Sequence, residues 1–229
     1  MPLAGKGMLL TSMDIDSADE TDFNRWYDRE HLEERVAIGG FLEARRYVAH
    51  KASPKYLCLY STATFEVLDS PTYRAALASP TGWSKATMAR FRNMIRAVAR
   101  ITVSRGNGRG AALGIVRLRP SLEGSDELRT ALRNRLDPHG SDGIISMHLI
   151  ESDPALSKPI SEASSAAGPG SGDWYVLIDG TNVDVVASLV AARFGEAAGF
   201  NRATVIATGV YTLMWDLAKS DLPLSENPA

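Results

Sequence analysis

The stretch Phe23-Asn-Arg-Trp-Tyr-Asp-Arg-Glu-His-Leu-Glu-Glu-Arg-Val-Ala-Ile-Gly-Gly-Phe41 gathers residue types that can do chemistry. His31 titrates near neutrality and can move a proton. Glu30 and Glu34 are acids beside it, and Trp26 and Tyr27 can wall a pocket. On a helix at about 100° per residue, Phe23, Tyr27, Glu34 and Ile38 fall on one side. Glu30 and His31 flank that side, Trp26 lies beside Glu30, and Leu32 and Val36 fall on the other. A purely structural helix would show one clean apolar stripe. Here polar groups are mixed into the aromatic face, so they need partners or they line a cavity. Two readings stay open. His31 is either a surface histidine paired with Glu34 or Asp28, or a proton-transfer group at a pocket. Glu30 points about 100° away from His31, so it is not set to orient the ring.

A strand must lie near this helix to complete a site. Residues 41–50 alternate as a strand does, and period two puts Glu43, Arg45 and Tyr47 on one face and Arg46 on the other. Arg45 is the candidate to hold a carboxylate or enolate oxygen. Tyr47, Tyr56, Tyr60 and Trp83 are candidates for an aromatic wall, although tyrosines on half-buried strands also serve as packing. The other histidines, His50, His139 and His148, are scattered, with no metal-ligand spacing. Neither a metal nor another cofactor is expected. Cys58 sits in the apolar run Tyr56–Tyr60 and reads as a small buried side chain. It is the sole cysteine, so no internal disulfide forms.

The order of elements repeats. Strand 7–15, helix 17–38, strands 41–50 and 56–65, helix 70–92 (interrupted at Ser79-Pro-Thr-Gly82) and strand 94–104 make a β-α-β-β-α-β unit. After Gly106-Asn-Gly-Arg-Gly110 come strand 111–119, helix 126–136, strands 143–151 and 173–179, helix 183–198 and strand 203–216. The glycines precede a strand, not a helix, so they read as a joint, not a phosphate loop. The fold class is therefore α+β: two fused ferredoxin-like βαββαβ repeats, 1–105 and 111–217, with a loosely held tail 218–229. An antiparallel sheet with helices on one face must bury its other face, and two halves can bury each other's, packed face to face. The Ser-, Gly- and Pro-rich stretch 157–172 is expected to be the most mobile internal segment.

The composition is that of an ordinary globular chain: 229 residues, 45% hydrophobic, 23% charged, net charge −2. No global basic field draws nucleic acid. No membrane-length apolar window or leader-like segment is evident, and a cytoplasmic location is expected.

The pattern Phe23-x-x-Trp26-Tyr27-x-x-Glu30-His31, then Gly40-Phe41 and Arg45-Arg46-Tyr47, resembles the EthD-like members of the dimeric α/β-barrel superfamily. Tyr56–Tyr60 and Ser79-Pro-Thr-Gly-Trp83 extend the resemblance, which covers residues 7–104. The helix 126–136 lacks the Trp-Tyr…Glu-His set, so one site per chain is expected, in the first half. The superfamily includes cofactor-free monooxygenases, dehydratases, cyclases, isomerases and haem-handling enzymes, and members without known activity. The resemblance implies a small, aromatic or polyketide-like ligand between sheet and helices, and leaves room for a homo-oligomer. His31 and Arg45 are the expected catalytic residues, with Trp26, Tyr27, Glu30, Tyr47, Tyr60 and Trp83 as binding residues. The alternative is a non-catalytic ligand-binding or assembly protein, with the same space packed shut.

Overall fold

The computed structural model describes residues 3–158, 168–195, 199 and 202–223. The elements in chain order are strand β1 (Gly7–Asp14), helices α1 (Glu20–Trp26) and α2 (Leu32–Ala37), strands β2 (Phe41–Lys51) and β3 (Tyr56–Thr62), helices α3 (Pro71–Ala78) and α4 (Gly82–Met88), and strand β4 (Arg92–Gly106). The second half continues with β5 (Ala112–Pro120), α5 (Ser125–Arg135), β6 (Ile144–Ser152), β7 (Trp174–Gly180), α6 (Val183–Phe194) and β8 (Ala203–Ala218).

All strand pairs are antiparallel. The first half runs β4-β1-β3-β2 in space and the second β8-β5-β7-β6, the same order twice. The two sheets do more than pack face to face. Their edges pair, β2 with β8 and β4 with β6, and close one eight-stranded barrel. Closure removes every unpaired sheet edge.

Each strand thus has a barrel side and a helix side. β1 and β3 are covered on both and read as near-continuous buried runs. Met8, Leu10, Leu57 and Leu59 point into the barrel with Tyr175 and Leu177 of β7. Leu9, Met13, Tyr56, Cys58 and Tyr60 point outward beneath the first-half helices, against Phe23, Trp26 and Val36. In the second half Leu128, Leu132, Val186 and Phe194 fill the equivalent layer.

The long first helix is not straight. Between α1 and α2 the residues Tyr27–His31 form a π turn, in which the Leu32 N–H donates to the Tyr27 carbonyl. That turn holds one more residue than an α turn and rotates α2 relative to α1. Leu32 and Val36, which a straight helix turns away, are fully buried with Phe23, Trp26 and Tyr27. Gly40, at φ +87°, takes the left-handed conformation that a glycine adopts freely and leads the chain into β2. Residues 106–110 are not a free joint. A Cβ on Gly110 would overlap the Gly180 carbonyl oxygen, so the glycine lets two backbones touch.

Of the stretch 157–172, residues 159–167 lie outside the described residues. Ser157 is buried and its hydroxyl accepts from the Val98 N–H at 2.8 Å. Residues 224–229 of the tail also lie outside. Lys219 Nζ donates to the Val36 and Ala37 carbonyls, capping the end of α2.

Candidate functional site

A cavity of about 300 Å³ lies between the first-half helices and the helix side of its sheet. Its wall is mostly apolar: Leu9, Met13, Trp26, Leu77, Met88, Phe91 and Met94, with Tyr27, Tyr60 and Tyr73. Thr11, His31, Arg35 and Arg96 are its polar members. The aromatic side chains line this space and leave it open.

The π turn brings Trp26, Tyr27 and His31 to the cavity together. The imidazole stacks on the Trp26 ring, centroids 4.1 Å apart at 26°, and stands edge-on to Tyr27 (5.2 Å) and Tyr60 (6.3 Å). His31 is 8% exposed, and its Nδ1 is buried without a hydrogen-bond partner. Burial, and then the positive charges of Arg35 and Arg46, hold its pKa well below the usual 6.5. The ring is therefore a free base at neutral pH.

Arg46 is the strand residue beneath this corner. Its guanidinium lies 4.2 Å from the Tyr27 ring centroid and is also packed on Phe23 and Tyr56. It donates to Asp28 Oδ1 at 3.1 Å and to Asn24 Oδ1 at 2.5 Å. Trp215 of β8 reaches the same Asp28 at 2.9 Å, so the second half braces the helix.

Four sequence-predicted site residues are placed elsewhere. Arg45 and Tyr47 face the barrel interior, across the sheet from His31. Arg45 Nη1 donates to Tyr47 Oη at 3.3 Å and pairs with Asp179 at 3.4 Å. The strand alternation was as expected, but the helix side belongs to Arg46. Glu30 faces α4 rather than the cavity: its Oε1 accepts from Trp26 Nε1 (3.1 Å), Thr81 Oγ1 (2.6 Å) and Ser84 Oγ (3.1 Å). Trp83 lies on the outer side of α1, donating to Asp22 at 3.2 Å with Arg25 over its ring. Trp26, Tyr27, His31 and Tyr60 do line the cavity. Arg35 and Arg96 were missed, because an arginine beside charged neighbours on a helix, or near a strand end, reads as solvated.

Glu30 is thus a clamp that fixes the Trp26 indole. Glu30→Ala is expected to cost about 1–3 kcal/mol in a denaturant titration, chiefly from the buried Ser84 hydroxyl it leaves short of an acceptor, while the indole N–H keeps Ser84 Oγ at 3.1 Å. A variant as stable as the parent would show that the clamp is idle.

Cys58 is buried and its thiol is pushed up to about 11 by desolvation, which removes it as a nucleophile. Among the described residues no group of three or more His, Cys, Asp or Glu is placed to hold a metal ion. The cavity is at the small end for ligand pockets. His148 lies off it, with both ring nitrogens taken, by Ser104 and Ser146. Among the described residues no helix is long and apolar enough to cross a membrane.

No family model and no characterised protein matches the sequence. Solved structures match the fold along nearly the whole chain. An anthrone oxidase-like protein aligns with TM-score 0.65 at 9% identity, over 97% of this chain and 98% of that one. A protein of Fusobacterium nucleatum provisionally described as a monooxygenase aligns at 0.59 and 8% identity, over 94% and 95%. One provisionally described as a chlorite dismutase aligns at 0.54 and 10%, over 96% and 97%. The chain has the dimeric α/β-barrel fold, with both halves in one polypeptide. Identities this low carry the fold alone, and the fold hosts several chemistries.

Proposed function

We propose that the first half, residues 1–105, binds a compact aromatic or polyketide-like molecule in the His31 cavity and removes a proton from it, while the second half, 111–217, closes the barrel. The observation that carries this reading is a neutral imidazole with an unpartnered Nδ1 at the wall of an aromatic-lined cavity.

The surroundings dictate the chemistry. A ring kept neutral by burial has its lone pair free at any physiological pH, while the same burial makes it a weaker base. Accepting a proton creates a cation near Arg35 and Arg46, which is unfavourable unless the substrate becomes an anion in the same step. The site therefore favours removal of a proton whose loss leaves a delocalised anion, such as a C–H or O–H conjugated with a carbonyl and aromatic rings. Trp26, Tyr27, Tyr60 and Tyr73 give such rings a flat, apolar surround and exclude water. A carbanion of that kind can react with dioxygen directly, so an oxygenase-type reaction is the best-supported outcome. The anthrone oxidase-like and monooxygenase-like neighbours support the same class.

Anthrone, a ketone whose ring C–H is acidic, is the probe that tests this. Oxygen uptake and quinone formation are expected in air. Without oxygen, solvent deuterium is expected to enter the acidic position faster than in buffer. Exchange at the buffer rate and no oxygen uptake would sink the proposal for this substrate class.

A further inference from the structure

Three arginines lie around the cavity, and two are committed to the protein. Arg46 is held by Asp28, Asn24 and three aromatic faces. Arg96 donates to the carbonyls of Leu156 (2.6 Å) and Lys158 (3.3 Å). Arg35 differs. It is 7% exposed, yet among the described residues its guanidinium makes no hydrogen bond and no ion pair. It lines the His31 cavity and also an adjoining cavity of about 230 Å³ bounded by Glu34, Ala76, Ser79 and Pro80. It therefore stands at the junction of two spaces, beside the proposed base.

A guanidinium does not shed its proton in a protein. Glu34 is felt by Arg35 electrostatically but makes no ion pair with it, and burying a guanidinium without a hydrogen-bonded counter-charge is costly, so a partner from outside would relieve a cost the chain already carries. The planar fork of an arginine matches a carboxylate through two parallel hydrogen bonds. We propose that the ligand of this pocket is an aromatic carboxylate, its rings in the apolar chamber and its carboxylate on Arg35. This rests on reading the His31 cavity as a ligand site. It goes further by naming the charge and the group that the ligand presents. Arg35 takes the role that the sequence suggested for Arg45, from the helix instead of the strand.

The test uses the full chain and a matched pair of probes, 2-naphthoate and the neutral 2-naphthamide, with affinities from calorimetry. The parent protein is expected to bind the carboxylate about 10–100-fold more tightly than the amide. Arg35→Gln should erase that preference by bringing carboxylate affinity down to the level of the amide, and Arg35→Lys should keep part of it. Unliganded Arg35→Met should melt at a higher temperature than the parent, because an unpaired buried cation has been replaced by an apolar side chain of similar length. Equal affinity of the parent for both probes, or a preference that survives in Arg35→Gln, overturns the role of Arg35 and leaves the pocket reading standing. If Arg35→Gln does not fold, an undiminished preference in Arg35→Lys, together with no rise in melting temperature for Arg35→Met, overturns it equally. Failure of the parent to bind either probe overturns the pocket reading and this inference with it.

Discussion

Replacing His31 with alanine is expected to lower turnover of an anthrone-type substrate by about 10²–10⁴-fold while the protein stays folded. The size reflects removal of the proton acceptor, with the pocket that binds and orients the substrate left in place. The fold should survive because the imidazole is held by stacking on Trp26 and not by hydrogen bonds at Nδ1. Far-ultraviolet circular dichroism and the melting temperature check that condition. The pH dependence adds a second, independent readout. Because burial holds the folded-state pKa well below 6.5, activity that needs the free base should persist in acid through the range where an exposed imidazole is already protonated. An acid limb centred near 6.5 would place the essential proton on another group. The same shift has a consequence for stability. Below about pH 6.5 the unfolded chain takes up a proton that the folded ring resists, so stability present above that pH is lost as pH falls. His31→Ala should remove its share of this loss. A full rate in His31→Ala would end the base assignment.

The order of elements was legible because strands and helices alternate in a pattern that only a few topologies satisfy, and the strand boundaries fall within a few residues of those expected. The orientation of β2 was not. Period two separates Arg45 and Tyr47 from Arg46 correctly. A strand buried on both faces, however, has no polar side to say which face meets the helices. The register with β8 and the inward placement of Asp179 decide it, and both involve the second half. The π turn was hidden for a different reason. Residues 27–31 contain no glycine or proline to mark it, and a uniform 100° wheel turned Leu32 and Val36 away from the core they occupy. Within the site, aromatic and histidine spacing on the helix pointed to Trp26, Tyr27 and His31. Arg35 left no such signal, because its burial depends on the walls that α3 and the Ser79–Pro80 turn raise around it.

Removing the Asp179 carboxylate is expected to destabilise the protein by about 3–5 kcal/mol without weakening ligand binding at the His31 cavity. Asp179 of β7 and Arg45 of β2 meet inside the barrel, each 1% exposed, and the pair joins one half to the other. Arg45 Nε also lies 3.6 Å from Glu43 Oε1, and Glu43 in turn pairs with Arg109 at 3.1 Å. Ser146 Oγ and the Gly110 N–H both donate to Asp179 at 3.4 Å. His148 stands nearby with its pKa pushed down to about 3 by burial, so it brings no counter-charge. Asp179→Ala would leave Arg45 charged and buried, with Glu43 as its remaining anion. The cost comes from stranding that charge more than from losing one hydrogen bond. Arg45→Met combined with Asp179→Leu should therefore recover most of the loss, since a well-packed apolar pair of similar volume is often as stable as a buried ion pair. Denaturant titrations of Arg45→Met, Asp179→Leu and the double variant measure the coupling. The same proteins also decide where Arg45 acts. If it serves the barrel alone, 2-naphthoate affinity is unchanged in every variant that folds. If Arg45→Met abolishes carboxylate binding while the barrel keeps its stability, the ligand lies inside the barrel, and the site on the helix side of the sheet is the wrong one.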